Sequence, residues 1–328
     1  MSLKVVFLGT GGTIAGTSTE AGDNVGYKSG QLDLTHVLEG VPGLKSALSG
    51  DSLHCEQVAS IDSKDMEFSD WARLARYVSK YLASPDVRSV VITHGTDTLE
   101  ETAFFLASVL PADLSAHKAV VLTCAMRPAS SHSPDGPQNL LDATAVARTV
   151  GASGVLVVCA GTVHGARDVQ KVHPYRLNAF DSGDAGPLAY VEEGRVRQVR
   201  SWMSALPDKH FTLSDHTVAV AQWPRVEIVL SHAGATAAIV HALMGPVPAG
   251  AAPLRGLVVA GTGNGTVHRV LDEALRDAQS HGIRVVRSTR CAWGAIVAAS
   301  GASEALPHFD GLSPVKSRIA LMLELLCP

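Results

Sequence analysis

The sequence predicts an α/β protein built of two doubly wound parallel sheets, a larger one N-terminal and a smaller one C-terminal. Three observations carry that prediction. Short apolar runs rich in β-branched residues recur and stop at glycine or other small residues, as strands buried on both faces of a parallel sheet do. Stretches with helical apolar spacing lie between them, so strand and helix alternate along the chain. The length of 328 residues, 46% hydrophobic and 18% charged, suffices for two cores. The expected division is a catalytic first domain over 1–200, a linker over 201–222 and a second domain over 223–328.

The first strand is the run Val5, Val6, Phe7, Leu8, which gives way to four glycines interleaved with Thr10 and Thr13. Glycines there let the chain turn sharply and bring bare backbone N–H groups close to whatever lies above the strand end. Open α/β sheets bind ligands at that end. Residues 17–30 are loop-like with Tyr27 as the only aromatic. They read either as a surface hairpin or as a lid that carries Tyr27 over a site. Residues 32–48 have helical spacing interrupted by Pro42, and 54–61 read as a strand. Asp62 or Ser63 is then placed to cap a helix through Trp71, Leu74, Ala75, Val78 and Leu82, and a small carboxylate could use the same helix start.

A second buried strand over 89–93 ends in His94, Gly95, Thr96 and Asp97. Thr98 with Glu101 fits a capping box for the helix that follows, and Asp97 with Glu100 fits a weaker one. Strands are expected at Ala119–Thr123 and Gly154–Cys159, the latter leading into a polar loop that carries Lys171. The pattern loosens between 187 and 223, read as a strand pair and then the linker. The second series has strands at 226–230, 256–260 and 283–287, with helices at 235–243, 266–280 and 315–326.

Composition excludes several function classes. A net charge of −4 gives no electrostatic case for nucleic acid or an anionic membrane. The five cysteines are odd in number, scattered and without a CxxC spacing, which disfavours a disulfide framework or a zinc site and suits a reducing compartment. No apolar stretch approaches the roughly 18 residues that span a bilayer. No basic leader precedes the strand at Lys4, so the expected location is cytoplasmic, or periplasmic if a signal peptide has been removed.

Three strand ends offer threonine and glycine together: around Thr13, around Thr96 and over 261–265. The first lacks both a GxGxxG that opens a helix and the lysine of a phosphate loop, which argues against dinucleotide or ATP binding. The 14 histidines are dispersed, with no HExxH, and GxSxG is absent, so neither a metal hydrolase nor a serine elbow is expected. A threonine hydroxyl hardly ionises near neutral pH and needs a neighbouring base. Lysine serves when burial or a nearby positive charge lowers its pKa. Lys171 is either that base, reaching a threonine on an adjacent strand end, or a solvated loop lysine.

The segments GTGGTIAG, VVITHGTDTLEETAFFL, AMRP, SHSPDGPQNL and GARDVQK together resemble the bacterial-type L-asparaginases, and the likeness runs over essentially the whole chain to GTGNG and the last helix. The resemblance implies an amidohydrolase that converts L-asparagine and water to L-aspartate and ammonia without a cofactor or metal. By motif, Thr13 would be the nucleophile and Tyr27 its lid partner, with Thr96, Asp97 and Lys171 as a second catalytic group. The substrate α-carboxylate would lie near Asp62 and Ser63 and its α-ammonium on Asp97, with Gly12, Gly95 and Thr96 also lining the pocket. Backbone N–H groups near Gly12 and Thr96 would form the oxyanion hole. Sites in this family are shared between subunits, which implies a homodimer or homotetramer in which Asn264 completes a neighbour's pocket.

Two departures from the family pattern bear on specificity. Lys64 stands where many relatives carry glutamine after the serine. Many relatives also supply a glutamate from the C-terminal domain to the lid tyrosine, whereas residues 293–303 contain no acid and the nearest is Glu304. Either Glu304 substitutes or the pocket lacks that group, which bears on the choice between asparagine and glutamine. Two rival readings follow from the same residues: the asparaginase-like subunit of a tRNA-dependent amidotransferase, and a non-catalytic amino-acid-binding module.

Overall fold

In a computed structural model, described over residues 2–20, 22–202, 223–247, 250, 252–297 and 306–326, the apolar runs form strands and the 3.6-period stretches form helices. The N-terminal part comprises β1 (Lys4–Gly11), α1 (Leu34–Glu39), α2 (Leu44–Leu48), β2 (Ser52–Ile61), α3 (Phe68–Leu82), β3 (Val87–Thr93), α4 (Leu99–Val109) and α5 (Ala112–Ser115). It continues with β4 (Ala119–Thr123), α6 (Gly136–Arg148), β5 (Gly154–Cys159), β6 (Thr162–Gly165), β7 (Gln170–Lys171), β8 (Phe180–Asp181), β9 (Ala189–Glu192) and β10 (Arg195–Gln198). Eight strands make one sheet in the order β10-β9-β6-β5-β4-β3-β1-β2, while β7 and β8 pair separately.

The five strands β2-β1-β3-β4-β5 are parallel. They are covered on both faces, which is why β1, β3, β4 and β5 are apolar almost throughout. Val5, Phe7, Val91 and Val121 pack into one core with α1, α2 and α6. The alternate residues Val6, Leu8, Val90 and Ile92 are fully buried as well and point to the opposite face. Trp71 of α3 stacks on Phe105 of α4, ring centroids 4.9 Å apart.

The sheet departs from the expected parallel pattern at one edge. The stretch after Cys159, expected as a polar loop, reverses at Ala160 and Gly161, both at positive φ, and returns as β6 antiparallel to β5. β9 and β10 extend that edge, also antiparallel. A four-residue strand with only Val163 as an obvious apolar residue leaves little periodicity to read.

Two expected caps do not form. Asp62 caps only a 3₁₀ turn over Ser63–Asp65, after which Met66 is extended, and α3 starts later with its own Glu67–Asp70 capping box. Thr98 precedes α4, but its hydroxyl donates to Ser63 O at 2.7 Å instead of capping.

The second part comprises β11 (Arg225–Leu230), α7 (Ala238–Met244), β12 (Leu254–Gly261), α8 (Arg269–Ser280), β13 (Arg284–Thr289) and α9 (Pro314–Leu326). Its three strands are parallel in sequence order. Leu257 and Val259 pack with α7 and α8 on one face, while Gly256 faces Leu321 of α9 on the other. By contacts the chain separates into two units, Met1–Asp215 and His216–Pro328. Most of the expected linker, 203–222, lies outside the described residues.

Candidate active site

The chain passes from β1 to β2 on one side and then crosses back to β3 on the other, so the order β2-β1-β3-β4-β5 changes direction between β1 and β3. Such a switch point opens a crevice above the carboxyl ends of the two strands, where ligands of open α/β sheets bind. Thr13 follows β1 and Thr96 follows β3, so both threonines stand at that crevice. Both are buried, 5% and 7% exposed.

Glycine sets their approach. Gly12 has φ 82°, and a Cβ there would fall 2.4 Å from Gly95 Cα, so the two turns touch backbone to backbone. A Cβ on Gly95 would in turn fall 2.5 Å from Ser63 Oγ. Three segments distant in sequence therefore meet only because two of them lack side chains.

On the Thr96 side, Lys171 Nζ donates to Thr96 Oγ1 at 2.8 Å and to Asp97 Oδ1 at 2.6 Å. The lysine side chain is 18% exposed and the Asp97 side chain 52%, so an ion pair sits at the crevice mouth with its cation on the inner side. Lys171 N–H donates to the Glu100 carboxylate, which fixes β7 against the start of α4. Asp97 N–H donates to Ser63 Oγ at 3.1 Å.

Behind this turn runs a buried polar chain that the sequence reading did not single out. Trp71 Nε1–H can only donate, and it meets Thr102 Oγ1 at 2.9 Å. The Thr102 hydroxyl is thereby left to donate to His94 Nε2, also 2.9 Å away. His94 must then be the neutral Nδ1–H form, whose proton goes to Gly95 O at 2.7 Å. Full burial pushes the His94 pKa down to about 4. A histidine within a run otherwise marked by threonine and glycine was the signal available in sequence.

On the Thr13 side, Thr13 Oγ1 and Tyr27 Oη lie 2.6 Å apart. Tyr27 arrives on a hairpin whose legs are bridged at Thr17 and Lys28, so the hairpin reading and the placement over Thr13 are both realised. Gly12 N–H, expected near an oxyanion hole, already donates to Ile61 O at 2.9 Å and is not free. The Thr13 and Thr96 N–H groups have no backbone acceptor among the described residues.

Asp62 accepts from Lys64 Nζ at 2.8 Å and from Ser29 Oγ at 3.3 Å. Lys64 also holds Asp65 at 3.0 Å. Burial raises the Asp62 pKa and these hydrogen bonds lower it, with lowering as the net result. Asn264 belongs to the second unit, where its amide makes paired hydrogen bonds with the Val297 backbone, Nδ2 to O at 2.9 Å and Val297 N to Oδ1 at 2.8 Å. Glu304 lies outside the described residues. Among the described residues no three His, Cys, Asp or Glu side chains gather as a metal set, and no helix is long and apolar enough to cross a membrane.

Comparison with known proteins converges on one family. The model of the asparaginase N-terminal domain matches residues 4–203, and that of the glutaminase/asparaginase C-terminal domain matches 225–327. A probable periplasmic L-asparaginase of Haemophilus influenzae is 35% identical over 98% of this chain and 88% of its own length. A glutaminase-asparaginase of Pseudomonas fluorescens is 34% identical over 98% of this chain and 86% of its own. The crystal structure of a probable cytoplasmic L-asparaginase from Campylobacter jejuni superposes with a TM-score of 0.89 at 34% identity, covering 100% of this chain and 96% of that one.

Proposed function

This chain belongs to the asparaginase family, and from that premise we propose that it hydrolyses the side-chain amide of L-asparagine to L-aspartate and ammonia. The observation that carries this reading is the pairing of two buried threonines at one switch point, each with a different proton-handling partner. Thr13 Oγ attacks the amide carbon, the C–N bond breaks, and ammonia leaves with a proton. Water then cleaves the resulting ester. Tyr27 relays the Thr13 proton: its phenol oxygen accepts that proton across their hydrogen bond while its own proton passes to the departing amide nitrogen, and a proton lost by the water in the second step restores the Thr13 hydroxyl. Lys171, acting through Thr96, orients and deprotonates the water. Asp97 takes the substrate α-ammonium at the carboxylate that Lys171 also contacts. Ser63 and the neighbouring 3₁₀ turn receive the α-carboxylate. The N–H groups of Thr13 and Thr96 are the oxyanion donors. Each such donor is typically worth about 100- to 1000-fold in rate.

Glutamine is a second candidate substrate, as the name of the Pseudomonas relative indicates for that protein. A homodimer or homotetramer and a role for Asn264 in a neighbour's pocket complete the proposal on the strength of the family resemblance, and a cytoplasmic location on that of the scattered cysteines. The decisive measurement is ammonia release from L-asparagine and L-glutamine by the purified protein and by Thr13→Ala. The expected result is release by the parent and a loss of several orders of magnitude in the variant, with L-aspartate still bound. Near-normal turnover in Thr13→Ala would remove the nucleophile assignment, and no release by the parent would leave the amino-acid-binding module.

A further inference from the structure

The hairpin that carries Tyr27 is fastened at both legs by side chains outside the catalytic set. On the outgoing leg, Ser18 N–H donates to Ser130 Oγ at 2.8 Å, and Ala129 N–H donates to Gly16 O at 2.9 Å. On the returning leg, Ser29 Oγ donates to Asp62 Oδ2 at 3.3 Å, and Gly30 N–H donates to Gly12 O at 3.2 Å. Nearer the tip, the His132 ring lies so close to Gly22 that a Cβ there would come within 2.8 Å of it. Ala129, Ser130 and His132 all belong to the connection between β4 and α6. That connection is itself pinned, since the Asp135 carboxylate accepts Met126 N–H and Arg127 N–H, each at 2.9 Å.

We propose that Ser130, with Ser29 as the weaker second post, is a positioning residue that holds the Tyr27 phenol on the Thr13 hydroxyl. The proposal rests on the reading of Thr13 as nucleophile and adds the part of the molecule that governs its partner. The physical reason is the narrow tolerance of the contact. A 2.6 Å hydrogen bond between two side chains survives little displacement of the backbone that carries either one. Thr13 is fixed by the sheet, whereas Tyr27 depends on a hairpin closed by its own Thr17–Lys28 bridge and these posts. Small misplacements of a catalytic group cost large factors in rate. Both posts are partly solvated, so water can replace the lost partner in a variant, and the loss falls on geometry more than on folding.

The test measures kcat and KM on L-asparagine for Ser130→Ala, Ser130→Thr and Ser29→Ala, in the parent and in a Tyr27→Phe background. Trypsin cleavage after the exposed Lys28 is followed in parallel. A single hydrogen bond supports an expectation of roughly 2- to 10-fold lower kcat for Ser130→Ala, less for Ser29→Ala, and recovery in Ser130→Thr. In the Tyr27→Phe background the Ser130→Ala effect should shrink to within about 2-fold, because the lost contact is already absent. Cleavage after Lys28 should accelerate in Ser130→Ala and return toward the parent rate in Ser130→Thr. An undiminished Ser130→Ala effect in the Tyr27→Phe background overturns the proposal, because Ser130 then acts by another route. Unchanged kcat together with unchanged cleavage overturns it as well. If the parent releases no ammonia, the functional reading fails by itself, and the cleavage rates still decide whether Ser130 holds the hairpin.

Discussion

The two threonines of the candidate site are built in opposite ways. Thr96 has its lysine in contact, and the turn that presents it is backed by His94, Thr102 and Trp71 in a dry, fully hydrogen-bonded chain. Thr13 has a phenol for a partner, delivered by a half-buried residue of a surface hairpin. The first half is fixed by the sheet and its covering helices. The second is assembled from loops, where closure over a substrate and its release involve the least disruption of packing. On the proposed reading, charge handling falls to the rigid half and access to the adjustable one.

The largest expected effect breaks the rigid half. Lys171→Met keeps the length of the side chain and removes both hydrogen bonds, to Thr96 and to Asp97. Asp97 is about half exposed and tolerates the loss of its partner. Turnover at neutral pH should fall by about 10²- to 10⁴-fold, the usual contribution of a positioned acid or base. Steady-state kinetics across pH 6 to 9 checks it, and a variant within about threefold of the parent would mean that the rigid half does not handle the proton.

A smaller effect is expected on the adjustable half. Tyr27→Phe keeps the ring and deletes one hydroxyl, so the hairpin stays in place while the Thr13 hydroxyl loses its partner. A fall in kcat of about 10- to 100-fold with KM changed by less than about threefold would sharpen the comparison, since the loss then lies in the reaction step. A rise in KM with kcat unchanged would make Tyr27 a gate over the substrate rather than a partner of Thr13.

How far each half was legible in sequence follows the same division. Strands buried on both faces give continuous apolar runs, so β1, β3, β4 and β5 and the threonines at their ends could be read directly. The short antiparallel β6 could not, because four residues carry too little periodicity. Asp62 was misassigned as the cap of α3 because an Asp-Ser pair before a helical run is a common start signal, and nothing local announces the intervening 3₁₀ turn. Contacts such as Ser18 to Ser130, 112 residues apart, have no local signature at all. In the chain from Trp71 to His94 only the histidine stands out locally, and its partners Trp71 and Thr102 are ordinary residues until the fold brings them together.

The smallest effect concerns stability rather than turnover and probes how dry the rigid half is. His94 is held neutral by burial, which pushes its pKa from the usual 6.5 down to about 4. As pH falls below about 6.5 the unfolded chain takes up this proton and the folded one does not, so folding stability should drop across the window from 6.5 to 4. The slope reaches at most about 1.4 kcal/mol per pH unit, and the term vanishes above that window. Asp51 and Asp62, whose carboxyls are held below their ordinary values, contribute only at lower pH, where they too begin to bind protons in the unfolded chain. Urea unfolding at pH 7.5, 6 and 5 for the parent and His94→Gln separates the terms, because the slope difference isolates His94 whatever the variant costs outright. A flatter profile in His94→Gln is the expected outcome. Parallel profiles would show that His94 gains a proton in the folded state without penalty, and the rigid half would then be wetter than its hydrogen bonds imply.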